Sequence, residues 1–262
     1  MEIFLAVVIV AVIGLIAGLG LSLASKFMAV PVDEKQQKVR DALPGANCGA
    51  CGFSGCDGYA AAVAAGEAEP DKCAPGGAGS AAALAEILGV EVKSNPKVAF
   101  ISCSGNPEIT KTRYLYEGAQ KCSAANLLGG GPLECSFGCI GFGDCAVVCP
   151  FGAITVNNGR PVICRDLCVG CGKCVKACPK MLISLVGKDA KTVAGCANKH
   201  KGAAVVKACG VSCIACGMCE RACEAGAVKV TDNVAVVDNS LCTGCGKCIE
   251  ACKRGVLVKF NQ

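Results

Sequence analysis

The chain has 262 residues, of which 25 are cysteine, three are tyrosine and none is tryptophan. This length corresponds to one or two ordinary domains, and cysteine at nearly a tenth of the residues lies far above average usage. With so few aromatic side chains, metal binding has to supply part of the folding free energy. Thiols that carry metal must stay reduced, which excludes an oxidising compartment for the soluble part. The formal net charge of +5 suits an acidic protein partner but is too small to indicate nucleic acid.

Residues 1–26 are predicted to form a transmembrane anchor. No charged residue occurs from Ile3 to Ser25, and about 23 helical residues span roughly 34 Å, enough to cross a bilayer with some tilt. A secretory signal peptide is the alternative, because Ser22-Leu23-Ala24 is similar to a cleavage site. The anchor is favoured because Glu2, and no Lys or Arg, precedes the apolar run, and because this run is longer than a signal peptide requires.

Basic residues follow the apolar run. By the positive-inside rule they predict a single-pass protein of the cell (inner) membrane, with its soluble part on the cytoplasmic side. Membrane lipid is therefore an expected partner. These residues are Lys26, Lys35, Lys38 and Arg40.

Residues 27–42 are predicted to be a linker, and residues 43–78 a small module that holds one 4Fe–4S cluster. The cysteines of the module follow the pattern C-x2-C-x4-C with a distant fourth member. Glycines between them let backbone N–H groups approach the cluster sulfides. The expected ligands of this cluster, numbered 1, are Cys48, Cys51, Cys56 and Cys73.

A connecting α/β segment is predicted over residues 79–132. Residues 57–65, inside the preceding module, are rich in alanine and predict a helix. Ser80–Leu88 predicts a second helix that ends at Gly89. Lys97–Ile101 then predicts a strand.

Two ferredoxin-like domains are predicted over residues 133–187 and 207–262. Four runs of four cysteines occupy them, and three runs keep the spacing C-x2-C-x2-C-x3-C. With this spacing the fourth cysteine of a bacterial ferredoxin binds the other cluster of a pair. Cysteines recur at one offset of about 74 residues, as from Cys145 to Cys219, which indicates an internal duplication. Turn signals at residues 157–159 and 232–233 predict a strand on each side.

Crossed ligation of this kind assigns the four clusters of the two domains, so that five are expected in all. The run that begins at Cys135 is stretched, with Phe142 where the duplicate has Cys216. The expected ligands are Cys135, Cys139, Cys145 and Cys178 for cluster 2; Cys149, Cys168, Cys171 and Cys174 for cluster 3; Cys213, Cys216, Cys219 and Cys252 for cluster 4; and Cys223, Cys242, Cys245 and Cys248 for cluster 5.

Zinc and disulfide bonds are the alternative uses of these cysteines. Zinc sites usually pair two C-x2-C elements across a longer gap, whereas sulfur ligands at the ferredoxin spacing favour iron–sulfur clusters. Disulfides between cysteines this close in sequence would be strained.

Five cysteines are left over and are expected to be small apolar side chains of the core. A sixth centre built from some of them stays open, but no spacing supports it. His200, the only histidine, is expected to lie on a solvated loop. The five remaining cysteines are Cys103, Cys122, Cys164, Cys196 and Cys209.

The predicted fold class is α+β, with an N-terminal transmembrane helix, a small four-cysteine 4Fe–4S module and two tandem 2[4Fe–4S] ferredoxin-like domains. The sequence contains no plausible dinucleotide-binding fingerprint. It also contains no acid–base or nucleophile constellation, so no catalytic residue is assigned. The chain is therefore expected to carry electrons rather than to transform a substrate.

The segment from Leu43 to Cys56, LPGANCGACGFSGC, resembles the B subunit of the Rnf complex, a membrane-bound, ion-translocating ferredoxin:NAD⁺ oxidoreductase. The resemblance covers essentially the whole chain, including the anchor, the CAPGG sequence at residues 73–77 and the ferredoxin repeats. Residues 129–139 are similar to the anaerobe-type branch of the family, whose members have a second ferredoxin unit. A similar four-cysteine module occurs in corrinoid iron–sulfur proteins, but these do not begin with a membrane helix.

The resemblance implies that the chain is the entry point for electrons. Reduced soluble ferredoxin would donate them on the cytoplasmic surface. The chain would pass them toward other membrane and peripheral subunits, which reduce NAD⁺ and export Na⁺ or H⁺. Two alternatives stay open. One is a membrane-tethered polyferredoxin without a coupling role. The other is a corrinoid-pathway subunit, which would require a corrinoid-binding domain, and the cysteine-rich repeats leave no room for one.

Overall fold

The computed structural model describes residues 2–27, 33–92 and 95–260, and within the first helix it describes the side chains of Phe4 and residues 11–24. Helix α1 runs from Glu2 to Phe27, and its large apolar side chains from Val12 to Leu23 are at least half exposed. Within the described residues, no helix is long and apolar enough to cross a membrane. Residues 28–32 of the expected linker and 93–94 of the expected connecting segment lie outside the described residues.

Three helices build the N-terminal module: α2 (Glu34–Asp41), α3 (Cys56–Ala64) and α4 (Gly77–Leu88). Helices α3 and α4 confirm the two predicted helices, and α4 ends at Gly89 in the left-handed conformation. Helix α2 occupies much of the expected linker. It forms because the Asp33 carboxylate caps its N-terminus, accepting a hydrogen bond from the Lys35 amide at 2.9 Å, and because Val39 gives it a buried contact.

The centre of this module consists of four side chains that are 0–1% exposed: Val39, Tyr59, Val63 and Leu84. The Tyr59 hydroxyl donates a hydrogen bond to the carbonyl of Glu69 at 2.8 Å. It also accepts one from the amide of Lys72 at 3.2 Å. These two bonds attach the segment that leads to Cys73 to helix α3.

The first ferredoxin-like unit has four strands and three short helices. In chain order they are β1 (Lys97–Ile101), α5 (Cys122–Leu127), α6 (Asp144–Val147), β2 (Ile154–Asn157), β3 (Arg160–Ile163), α7 (Lys173–Ala177) and β4 (Ile183–Gly187). Strand β1 pairs antiparallel with β4, with Ala99 opposite Leu185, and β2 forms a hairpin with β3. The hairpin turns through Asn158 and Gly159, whose φ angles of 47° and 65° match a tight two-residue turn.

The second unit repeats this plan. Its elements are β5 (Thr192–Ala194), α8 (Ala203–Ala208), α9 (Met218–Arg221), β6 (Val228–Thr231), β7 (Val234–Val237), α10 (Lys247–Ala251) and β8 (Leu257–Lys259). Strand β5 pairs antiparallel with β8, and β6 forms a hairpin with β7. In both units the first strand pairs with the last. Strands β1 and β5 therefore extend the units beyond the expected limits of 133–187 and 207–262.

The two units pack directly on one another. Val98 of β1, Ala190, Val193 of β5 and Phe260 share one buried apolar cluster. The Phe260 ring also meets the Phe100 ring edge-on at 5.8 Å between centroids. The end of the second unit is thus fixed against the first strand of the first unit.

Candidate metal centres

Four cysteine loops share one backbone feature. Each loop has a glycine with φ between 69° and 85° directly before a short helix, and a buried cysteine follows two residues later. Only glycine adopts this left-handed conformation without steric cost. The stretched first run keeps the feature, and its cysteine is buried as in the other three loops. The pairs are Gly143 and Cys145, Gly172 and Cys174, Gly217 and Cys219, and Gly246 and Cys248.

In the N-terminal module, the four cysteines expected for cluster 1 line a single cavity, in which about 300 Å³ is not filled by atoms. The side chains of Pro44, Tyr59 and Pro75 also line it. Asn47 supports its rim, because its side-chain oxygen accepts a hydrogen bond from the amide of Cys56 at 2.8 Å. The structure therefore brings the whole expected set together.

A second cavity, with about 320 Å³ not filled by atoms, is lined by the four cysteines expected for cluster 3. Cys149 reaches it from the first cysteine loop of the unit, and the other three come from the second loop. The remaining lining is mainly apolar and includes Ala99, Phe151 and Ile154. The Ala99 amide donates a hydrogen bond to the Cys168 sulfur at 3.4 Å. A mainly apolar, sulfur-lined cavity between two loops fits crossed ligation.

A third cavity, with about 390 Å³ not filled by atoms, differs from the expectation for cluster 2. Cys139, Cys145 and Cys178 line it as expected, but the fourth cysteine is Cys122. Cys135 does not line this cavity. The reason lies in the stretched loop, where Phe142 stands at the position of Cys216 in the second unit. Helix α5 fills the missing ligand position with Cys122.

One cationic and one anionic side chain also line the third cavity. Lys180 lines it and donates a hydrogen bond to the Ser136 carbonyl at 2.6 Å, and burial lowers the pKa of its ammonium group. Asp144 accepts hydrogen bonds from the amides of Cys122 at 2.8 Å and Ser123 at 2.9 Å. The carboxylate therefore holds the start of α5 and aims Cys122 at the cavity.

Burial of the sulfur atoms opposes thiolate formation in the absence of bound metal. It raises the pKa of Cys139 to about 12 and the pKa of Cys145, Cys174 and Cys219 to about 11. Neighbouring cysteine charges raise each of these pKa values further. Bound iron reverses this preference, because a metal holds coordinating thiols in the deprotonated form.

The second unit brings cysteines of both its loops into one buried cluster, which contains Cys213 and Cys219 and packs against Cys252. Burial, and then the charges of Cys252 and Cys213, raise the pKa of Cys219. The pKa of Cys248 is raised by burial and then by three neighbours of the cluster 5 set: Cys223, Cys242 and Cys245. Cys216 and Cys245 are exposed.

The remaining candidates lie apart from these sets. Cys164 is exposed on a loop, and His200 is also exposed, with its ring edge-on to Phe137. Cys135 is buried beside Asn198, whose side-chain amide donates a hydrogen bond to its sulfur at 3.5 Å. Among the described residues, no three His, Cys, Asp or Glu side chains converge closely enough to hold a single metal ion.

Family models match four parts of the chain. A family described as "Putative Fe-S cluster" matches residues 43–75. Two families described as 4Fe-4S dicluster domains match residues 167–227 and 212–257, and one described as a 4Fe-4S binding domain matches residues 139–153. The matched ranges contain the N-terminal module and cysteine loops of both ferredoxin-like units.

Curated proteins are similar over nearly the whole chain. The B subunit of the proton-translocating ferredoxin:NAD(+) oxidoreductase complex of Clostridium ljungdahlii is 46% identical over 238 residues, which is 90% of this chain and 84% of the relative. The B subunit of the Na(+)-translocating complex of Acetobacterium woodii is 43% identical over 89% of this chain and 71% of the relative. The B subunit of an ion-translocating oxidoreductase complex of Methanosarcina acetivorans is 36% identical over 90% of both chains.

Proposed function

Because this chain belongs to the B subunit family of ion-translocating ferredoxin:NAD⁺ oxidoreductase complexes, we propose that it accepts electrons from reduced ferredoxin and relays them through five 4Fe–4S clusters. Electrons would leave the chain toward the partner subunits that reduce NAD⁺. The chain is an electron-transfer subunit of this enzyme class, with 4Fe–4S ferredoxin domains.

The observation that carries this proposal is the cavity shared by Cys149 and the three cysteines of the next loop. The cysteine sulfurs are the metal-ligating atoms there, and the rest of the lining is mainly apolar apart from Lys173. A bound 4Fe–4S cluster supplies reversible one-electron chemistry. The chain contributes the thiolates, excludes water, and donates backbone N–H groups such as that of Ala99 to a ligand sulfur. Hydrogen bonds and solvent exclusion are the means by which a protein sets the potential of such a group.

Four of the five proposed ligand sets are those expected from the spacing, for clusters 1, 3, 4 and 5. For cluster 2 we propose Cys122 in place of Cys135, because Cys122 lines the cavity with the other three sulfurs. Lys180 at the same cavity favours the reduced state, since a nearby positive charge stabilises the added electron. The set for cluster 2 is then Cys122, Cys139, Cys145 and Cys178.

The proposal includes a single membrane anchor formed by Ile3–Ser25 within α1. Its support is the absence of charge in this run and a helix of 26 residues, which extends roughly 39 Å. Exposed apolar side chains such as Leu15 and Leu21 suit lipid or the helices of membrane subunits as neighbours. The basic residues that follow favour a cytoplasmic location for the rest of the chain, where soluble ferredoxin is found.

Stepwise reduction of the purified complex by ferredoxin, followed by low-temperature EPR, tests this function. Iron and sulfide should each approach about 20 per chain or exceed it, and signals of reduced 4Fe–4S clusters should appear as ferredoxin is added. A colourless, zinc-loaded chain under strict anaerobiosis would exclude the proposal. A chain that leaves the membrane without any other subunit would instead indicate a tethered polyferredoxin.

A further inference from the structure

Four of the cysteines outside the five proposed sets meet between the two ferredoxin-like units. Cys103 lies two residues beyond the end of β1, and Cys196 lies two residues beyond the end of β5. These positions are equivalent in the two units. The Ser104 amide donates a hydrogen bond to the Gly195 carbonyl at 2.8 Å, which fixes the two segments side by side.

Cys209 faces the same space as Cys103. A methyl group placed on Gly105 would overlap the Thr110 hydroxyl and would lie 3.5 Å from the Cys209 sulfur and 3.7 Å from the Cys103 sulfur, so this hydroxyl and the two sulfurs surround one point. An isolated β-bridge between Thr110 and Cys209 holds this part of the first unit against the second. Residues 103–110 of the first unit and Cys209 of the second unit are therefore held next to one another by the backbone.

Cys135 completes the group. It is 8% exposed, and Asn198 joins it to Cys196. The Asn198 backbone amide donates a hydrogen bond to the Cys196 sulfur, and its side-chain amide donates one to the Cys135 sulfur, both at 3.5 Å. Burial, and then the charges of Cys103, Cys196 and Cys209, raise the pKa of Cys135, in agreement with this grouping. Two of the four lie in the first unit and two in the second.

Each of the four sulfurs accepts a hydrogen bond from a polar group. The amides of Cys139 and Cys213 donate to Cys103 and Cys196, both at 3.4 Å. The Thr110 hydroxyl donates to Cys209 at 3.4 Å, and the Asn198 side-chain amide donates to Cys135 at 3.5 Å. Thr110 and Asn198 are 4% and 2% exposed.

These contacts distinguish the group from ordinary core cysteines. A buried free cysteine behaves as a small apolar side chain and needs no polar neighbour. Here two polar side chains are buried at a desolvation cost, with hydrogen bonds directed at sulfur. Hydrogen bonds to ligand sulfur are a regular feature of iron–sulfur sites.

We propose that Cys103, Cys135, Cys196 and Cys209 hold a sixth cluster of the 4Fe–4S class between the two units. This inference rests on the proposed function, because it extends the same electron path. Cys139 belongs to the cluster 2 set and Cys213 to the cluster 4 set, and their amides donate hydrogen bonds to Cys103 and Cys196 of this group. Electron tunnelling weakens steeply with distance, so a centre here connects the two units.

Metal content of the full chain, isolated anaerobically from the complex, tests the inference. The native chain should hold about 24 iron atoms, and the Cys209→Ser variant about 20. The matched control is Cys164→Ser, which changes an exposed cysteine outside all six sets and should keep about 24. Integrated EPR of the fully reduced protein should lose one cluster signal in Cys209→Ser and none in the control.

The outcomes separate this inference from the proposed function. About 20 iron atoms in both the native chain and Cys209→Ser would overturn the sixth centre and leave the five others. One zinc ion per chain that disappears in Cys209→Ser would also overturn it. If the chain held no iron at all, the proposed function would fail as well.

A second variant does not touch any ligand. Thr110→Val keeps the side-chain shape and removes the hydrogen bond to Cys209. It should lower the midpoint potential of one EPR signal and leave the others and the iron content unchanged, because loss of a hydrogen bond to sulfur destabilises the reduced state. Unchanged potentials for all signals would contradict the inference even if Cys209→Ser failed to fold.

Discussion

Asp144 joins helix α5 to the cavity that contains Cys122. Its two carboxylate oxygens accept hydrogen bonds from the Cys122 amide at 2.8 Å and the Ser123 amide at 2.9 Å. Partial burial opposes ionisation, but these bonds outweigh it and lower the pKa of Asp144. The group is therefore charged near neutral pH, and its contribution is lost only as the pH falls through this lowered pKa. Asp144→Ala removes both bonds at once.

The size of the effect follows from the two bonds. Loss of a side-chain cap at a helix N-terminus costs about 1 kcal/mol, and hydrogen bonds to a charged group contribute about 1.5–3 kcal/mol each when buried. Asp144 is only partly buried and water can reach the freed amides, so we expect about 1–3 kcal/mol in total. Local opening of α5 should then become about 5- to 150-fold more frequent, since every 1.4 kcal/mol is a factor of ten.

Hydrogen exchange followed by mass spectrometry measures this opening on a peptide that covers residues 122–127. Asp144→Ala should exchange faster by the factor given above. Asp144→Asn keeps one acceptor oxygen and should show a smaller effect. Glu117→Ala changes an exposed carboxylate of the same segment and should leave the peptide unchanged. Exchange at the native rate in Asp144→Ala, or equal rates in the Ala and Asn variants, would refute the assignment.

Three further predictions concern other parts of the fold. Leu84→Ala should destabilise the N-terminal module by about 2.7–5 kcal/mol in denaturant unfolding, whereas Leu127→Ala, at a site 84% exposed, should be nearly neutral. Gly170→Ala should disrupt the β1–β4 sheet and the EPR signal of cluster 3, because a Cβ there would overlap the Lys97 carbonyl. Gly152→Ala, also at positive φ but in open space, should lower the free energy of unfolding by only about 1–2 kcal/mol. Burial raises the pKa of Tyr59 to about 12, so its phenolate absorbance should appear near that pH rather than at 10. The stability that Tyr59 contributes should be intact below pH 10 and decline as the pH rises toward 12, a decline that Tyr59→Phe should remove.

Local sequence patterns predicted much of the fold. The hairpin turns at Asn158-Gly159 and Asp232-Asn233 and the strand Lys97–Ile101 were recognisable because turn chemistry and β-branched runs act over a few residues. Strand β5 has only three residues and depends on its pairing with β8, so no local signal marks it. Helix α2 carries one buried side chain and otherwise reads as a polar linker.

The cysteine sets divide in the same way. Three cysteines of each regular loop are close in sequence, and their grouping follows from spacing alone. Cys122 reaches its cavity from helix α5, outside the stretched loop, and only the folded chain shows this. A signal did exist, because Phe142 left that loop one thiol short while five cysteines had no role. Cysteine spacing showed that the loop lacked one ligand, but it did not show that Cys122 supplies it.

The pairing of the first strand of each unit with its last has a consequence for biogenesis. In the set proposed for cluster 4, Cys252 on the loop before β8 joins three cysteines of the preceding loop. Residue 252 must therefore leave the ribosome before this site can be assembled. Until then the thiols of the preceding loop lack their fourth partner and need protection from oxygen while the chain is being made.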